Sequence, residues 1–114
     1  MRKVIIAGSR MYNNYLYVKE ILNKHFGNNL PDEVVCGCCY GVDYFGSVWA
    51  KEKNIKVIEF PADWLYDKKS AGYKRNIKMA KYGNELVAIW DKTSKGTKHM
   101  IHVARKYNLK VTVY

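Results

Sequence analysis

Short apolar runs alternate with longer stretches of helical periodicity along the whole chain. Val4-Ile5-Ile6-Ala7, Val34-Val35-Cys36, Val57-Ile58-Glu59-Phe60, Leu86-Val87-Ala88-Ile89-Trp90 and Lys110–Tyr114 read as five strands. After the first, Asn13 or Asn14 can cap a helix, with Tyr15, Val18, Ile21 (or Leu22) and Phe26 at helical spacing and Gly27 at its end. Val42, Phe45, Trp49 and Ala50 mark a second helix that ends near Asn54. Asp63 to Ser70 reads as a polar loop holding aromatic residues. Ala71 to Tyr82 predicts a third helix with Tyr73, Ile77 and Ala80 inward, stopped by Gly83. Thr97 to Tyr107 predicts a fourth, with Met100, Ile101 and Ala104 buried.

Strands that alternate with helices indicate βαβ units and a parallel sheet. With right-handed crossovers the expected fold is α/β: a single-domain, Rossmann-like three-layer sandwich. Its five-stranded parallel sheet has the order 3-2-1-4-5, with helices on both faces. The strand order reverses between strands 1 and 4, where open sheets of this kind bind ligands.

Four of the five strands run into glycine or polar residues at that edge. Gly8-Ser9-Arg10 follows the first strand: glycine allows close approach to the backbone, Ser9 can donate to an anion, and Arg10 can grip one with two hydrogen bonds. The plainer alternative is a turn with an exposed arginine. Gly37 and Gly41 bracket the next turn, and the helix behind them aims its amides at the edge. Asp43 caps that helix or binds a ribose hydroxyl. Ser94-Lys95-Gly96-Thr97 opens the last helix, where Thr97 is either a plain cap or a phosphate donor. Arg75 and Asn76 suit a phosphate and a base or ribose. Trp64 and Trp90 can stack on a nucleobase, although aromatic residues more often belong to the core. These spacings match neither the dinucleotide fingerprint nor a Walker loop.

At 114 residues and 48% hydrophobic content, one domain can bury a real core. No run approaches the ~20 apolar residues of a membrane span, and the N-terminal apolar stretch is too short for a signal peptide. The expected location is the cytoplasm, with no membrane partner. The net charge of +10 favours anionic partners, although lysines spread along a chain are often a solvated surface. Cys36, Cys38 and Cys39 are too clustered for a disulfide framework and lack the second ligand pair of a structural zinc site. Neither metal nor cofactor is expected. A thiol at a helix N-terminus can have a lowered pKa, which leaves Cys38 or Cys39 open as a reactive group.

Several runs taken together resemble the YspA-like branch of the SLOG Rossmannoid superfamily. They are Lys3–Arg10, Cys36–Asp43, Pro61-Ala62-Asp63-Trp64, Ala71-Gly72 with Arg75-Asn76, and Ile89-Trp90-Asp91 with Ser94–Lys98, in the same order and over essentially the whole chain. Short members of this kind occur in phages and bacteria. The resemblance implies binding of nucleotides or their derivatives, ADP-ribose types included, and a homo-oligomer, dimer or tetramer. It also implies ligand contacts at Gly8, Ser9, Arg10, Gly37, Gly41, Asp43, Arg75, Asn76, Asp91, Gly96 and Thr97. The chain departs from the branch in two places. Cys38-Cys39-Tyr40 replaces glycine and small residues, and the bulky Tyr40 can close the pocket or stack on the ligand. The related LOG phosphoribohydrolases carry a catalytic glutamate shortly after their Gly-Thr pair, and Met100 stands at that place here.

The leading expectation is therefore a binder of a nucleotide or nucleotide-derived signal, of the NAD-derived, ADP-ribose or cyclic type. Such a protein can sequester the signal as a phage anti-defence sponge. The first alternative is a LOG-like phosphoribohydrolase in which Asp91 or Asp43 supplies the carboxylate that an oxocarbenium-like centre needs. The second, ranked lower, is nucleic-acid binding, which rests on the charge and ten tyrosines without any motif to support it.

Overall fold

A computed structural model describes residues 1–114. Strand β1 (Lys3–Gly8) is the centre of a five-stranded parallel sheet of order β3-β2-β1-β4-β5. The other strands are β2 (Glu33–Cys36), β3 (Lys56–Glu59), β4 (Glu85–Ile89) and β5 (Lys110–Val113). β1 pairs with β4 from Val4↔Glu85 to Gly8↔Ile89 and with β2 from Lys3↔Glu33 to Ile5↔Val35. The sheet thus has the expected order, and its topological switch falls between β1 and β4.

The period-two alternation of β1 divides the core. Val4 and Ile6 face helices α1 (Tyr15–Phe26) and α2 (Val42–Glu52), where Leu22, Phe26 and Trp49 fill the layer. Ile5 and Ala7 face α4 (Ala71–Tyr82) and α5 (Lys95–Lys106), with Met79, Met100 and Ala104. Trp49 is wholly buried and stacks on Phe26 at 5.2 Å. Its indole N–H donates to Asn23 Oδ1 at 2.8 Å, so the ring is buried without an orphaned polar atom.

Local signals set the helix ends. Asn14 is the cap of α1, and its Oδ1 accepts the Tyr17 N–H at 3.4 Å. Three expectations need correction. Ser94, not Thr97, caps α5, which therefore begins at Lys95; Ser94 Oγ accepts the Thr97 N–H at 3.3 Å. Asp63–Ser70 is not all loop: Asp63 Oδ1 accepts the Tyr66 N–H at 3.1 Å and starts a one-turn helix α3 (Trp64–Asp67), followed by a 3₁₀ turn. On α4, Tyr73 points outward, and Arg75 and Asn76 lie inward in one stripe with Ala71, Met79 and Ala80. The polar pair is accepted inside because a cavity lies there.

Candidate functional site

The C-terminal ends of β1, β2 and β4 open into a two-lobed cavity. The smaller lobe, about 230 Å³, lies under the N-terminus of α5 and is lined by Ser94, Gly96, Thr97 and Asn76 among others. The larger, about 620 Å³, opens between the α2 turn and α3 beneath Tyr40, Tyr44 and Pro61. Arg10, Cys39, Asp43, Trp64 and Arg75 line both lobes and form the waist between them. The larger lobe alone falls within the ~300–1,000 Å³ of typical ligand sites.

Arg75 organises the waist. Its Nε donates to Asn76 Oδ1 at 3.0 Å, one terminal nitrogen donates to the Gly37 carbonyl, and the other reaches Cys39 Sγ at 3.5 Å. Asn76 Nδ2 in turn donates to the Gly96 carbonyl at 3.3 Å and meets His99 Nδ1 at 3.1 Å. That second bond needs a lone pair on Nδ1, and burial, the main cause, holds the His99 pKa below its ordinary value. A polar chain therefore runs from the β2–α2 turn through α4 to the start of α5. Arg10 approaches the same sulfur from the other side, at 3.6 Å. Neither guanidinium is in an ion pair. Two arginines at the waist of a cavity, neither in an ion pair and with the single carboxyl of Asp43 beside them, make an anion site.

Asp43, in the first turn of α2, is buried beside them and accepts the Gly8 N–H at 3.3 Å. Burial pushes its carboxyl up to about 6, against the opposing pull of Arg75, the Gly8 and Gly37 amides and Arg10. An acid of that kind in a cleft fits proton transfer near neutral pH and equally fits a hydrogen bond to a ligand hydroxyl.

Of the residues singled out from the sequence, Gly8, Arg10, Asp43, Trp64, Arg75, Asn76, Ser94, Gly96 and Thr97 line the smaller lobe. Gly37 and Tyr40 line the larger. Ser9, Gly41, Trp90 and Asp91 line neither and serve the scaffold. Ser9 is fully buried, and its Oγ accepts the Asp91 N–H at 3.1 Å. Asp91 Oδ1 accepts the Thr93 and Ser94 N–H groups, both at 2.9 Å, and these bonds hold its carboxyl down at about 2. Trp90 packs against the α4–α5 core and donates to the Ser94 carbonyl at 3.0 Å. Gly41 has φ +73°, and a Cβ there would lie 2.7 Å from Arg10 Cα.

The other glycines divide by cause. A Cβ on Gly8 would lie 2.7 Å from the Val42 side chain, and one on Gly37 would lie 2.6 Å from the Arg75 guanidinium, so packing requires both. A Cβ on Gly96 would meet nothing within 4 Å. The fold does not demand glycine there, and the open space faces the smaller lobe.

Lys69, Tyr73 and Met79, which sequence reasoning had not placed in a site, also line the smaller lobe, together with Cys39 and with Met100, which stands where related hydrolases carry their glutamate. The pattern Ala71, Arg75, Asn76, Met79 was the available signal for the α4 face. All three cysteines are free thiols. Burial, the largest cause, raises the Cys36 pKa to about 12 and also raises that of Cys38. Cys38 sits at φ +60°, a conformation in which glycine costs least.

Residues 2–66 match the model of the YspA, cpYpsA-related SLOG family, more than half of the chain. The chain belongs to that family. It is similar to the gene 61 protein of Mycobacterium phage D29, with 30% identity over 118 residues that cover 97% of this chain and 94% of that protein. Among solved structures it is similar to DNA processing protein A (DprA) from Streptococcus pneumoniae, with a TM-score of 0.73 at 16% identity. The match covers 98% of this chain and 49% of that one, so this SLOG protein spans about half the length of the DprA chain. At such identity the likeness is one of fold: the Rossmann-like sheet is shared. The SLOG match ends at residue 66, whereas Arg75, Asn76, Ser94, Gly96 and Thr97 lie beyond it.

Proposed function

We propose that this SLOG protein binds a phosphorylated, nucleotide-derived ligand across the two lobes, with its phosphate at the Arg10–Arg75 waist. The observation that carries the reading is the waist itself: two arginines without ion pairs, between lobes of different size. A ligand with an anionic middle and two non-phosphate ends fits this shape better than a mononucleotide does. ADP-ribose types and dinucleotides have that form. In this reading the smaller lobe takes one end against Gly96 and the α5 amides. The larger takes a base or ribose beneath Tyr40 and Trp64, which are exposed at its rim.

Sequestration of an intact signal is the preferred use of such binding. It is supported by Met100, a buried apolar side chain that lines the smaller lobe where related hydrolases carry an acid. The similarity to a phage protein agrees with it. A thermal-shift screen against mononucleotides, NAD, ADP-ribose, cyclic ADP-ribose isomers and cyclic dinucleotides, with the ligand recovered by chromatography, tests both parts. A shift with intact two-ended ligand supports the proposal. Absence of any shift at ligand concentrations up to millimolar overturns it.

One observation favours a second reading. Asp43, and not Asp91, has the buried position and raised pKa that a glycosidic-bond hydrolase could use. Recovery of free base in the same screen, lost in Asp43→Asn, would establish it. The name of the structural neighbour refers to DNA processing, which makes nucleic acid a further polyphosphate to include among the ligands.

A further inference from the structure

The net charge of +10 is not evenly placed on the folded surface. From Lys68 to Lys106, the stretch that builds α4 and α5, ten Lys or Arg side chains are exposed and no acidic side chain is. On α4, Lys74, Lys78 and Lys81 recur at i, i+4 and i+7, opposite the buried stripe. On α5, Lys98, His102 and Arg105 repeat the same spacing. Both helices cover the same side of the sheet and pack against each other, so the two rows lie side by side. Neighbouring helices are ~8–10 Å apart, and each row extends about 10 Å along its axis. A single ion pair, Lys74 to Asp67 at 2.8 Å, neutralises any of this charge. The opposite layer differs: exposed charges on α1 and α2 are of both signs, and Lys19 pairs with Glu52 at 3.2 Å.

Like charges at i, i+4 weaken a helix, so two rows in which only Lys74 has an acidic partner oppose the stability of the helices that carry them. We propose that the α4–α5 face docks a nucleic acid through its phosphates. Charge complementarity selects a polyanion, and the absence of apolar anchors selects among polyanions. The large exposed apolar residues on these two helices and their ends are Tyr73 and Tyr107 only, and neither lies in a row. An amphipathic membrane-surface helix needs an apolar face to insert, and a protein interface needs a buried aromatic or aliphatic centre. Phosphate contacts need neither, and they carry no sequence information. The proposal does not rest on the cavity ligand, because the rows lie on the outer surface of the layer.

The test is fluorescence anisotropy of the full chain with labelled duplex and single-stranded DNA and RNA oligomers, from 50 to 300 mM salt. A triple charge reversal, Lys78→Glu, Lys81→Glu, Arg105→Glu, is compared with Lys24→Glu, Lys51→Glu, Lys53→Glu on the opposite layer. Both triples change net charge equally, and all six side chains are exposed. The expected result is sequence-independent binding whose log–log salt slope falls by about 3 in the α4–α5 triple and little in the other. Affinity at 50 mM salt should drop ~10-fold or more in the α4–α5 triple alone. Thermal melts of both triples, with and without ADP-ribose, separate loss of docking from loss of fold or of the nucleotide site. Equal loss in both triples would mean diffuse charge and overturn the proposal. So would no binding at 50 mM salt, or preference for phosphatidylserine vesicles or polyglutamate over every oligomer.

Discussion

Asp43→Asn should make the protein more stable at pH 8. The native carboxyl titrates at about 6, against 3.8 when unperturbed. The folded state therefore holds this proton more tightly than the unfolded chain does. Stability contributed by the group is fully present below the unfolded value, and it is lost as pH rises through the native one. About two pKa units correspond to roughly 3 kcal/mol of penalty on the ionised form at pH 8, as an upper bound. Asparagine removes the charge and can still accept the Gly8 N–H, but its amide group confronts the Gly37 N–H, at a cost of ~1–2 kcal/mol. The net gain should be ~1–2 kcal/mol at pH 8 and should turn into a deficit of about 1 kcal/mol near pH 4, where folded wild-type Asp43 is neutral and only the cost of the amide remains. Urea unfolding of both proteins between pH 4 and pH 8 measures it. A variant less stable than wild type at pH 8, with the difference independent of pH, would refute the assignment of a desolvated acid.

The other carboxylate should behave oppositely. Asp91→Asn should lower Tm at neutral pH, because two backbone N–H groups lose a charged acceptor, and the deficit should fade as acid brings wild-type Asp91 toward its pKa of about 2. Gly96→Ala should fold at least as well as wild type, gaining up to ~1 kcal/mol in the first turn of α5, yet reduce the nucleotide shift; an unchanged shift would remove Gly96 from the site. Arg75→Lys should abolish the nucleotide shift and cost ~1–3 kcal/mol, since an ammonium cannot span Asn76, Gly37 and Cys39 together. Ser94→Ala should cost about 1 kcal/mol through the lost α5 cap, read as a lower urea midpoint.

The sheet was legible because the centre of each strand except β5 is a short apolar run and its helices repeat at 3.6 residues, so periodicity separates them. The site was legible as an edge but less so as a set of side chains. Tyr73 is exposed against expectation because hydrophobicity ranks tyrosine as the inward residue, whereas Arg75 is the buried one. The cavity reverses that rank by offering Arg75 a carbonyl, an amide and a sulfur. Asp91 and Ser9 looked like ligand groups because they follow strand ends, but each is consumed by the backbone of a neighbouring turn. Cys39 had no signal, since a sulfur between two arginines depends on two loops meeting in space. Helix α3 escaped because one turn is too short for periodicity, and its cap, Asp63, was the only clue.

The central position of β1 bears on the order in which the chain can be completed. During synthesis Lys3–Gly8 emerges before the other four strands and finds β2 soon after, but its second ladder, five residue pairs with β4, waits until Ile89 has been made. Until then one whole edge of Val4-Ile5-Ile6-Ala7 is an open template, apolar on both faces and flanked by charge only at Arg2 and Lys3. Such edges pair with whatever strand is nearest, including that of another nascent copy. The strand that anchors the site is thus also the segment most exposed to error before folding ends.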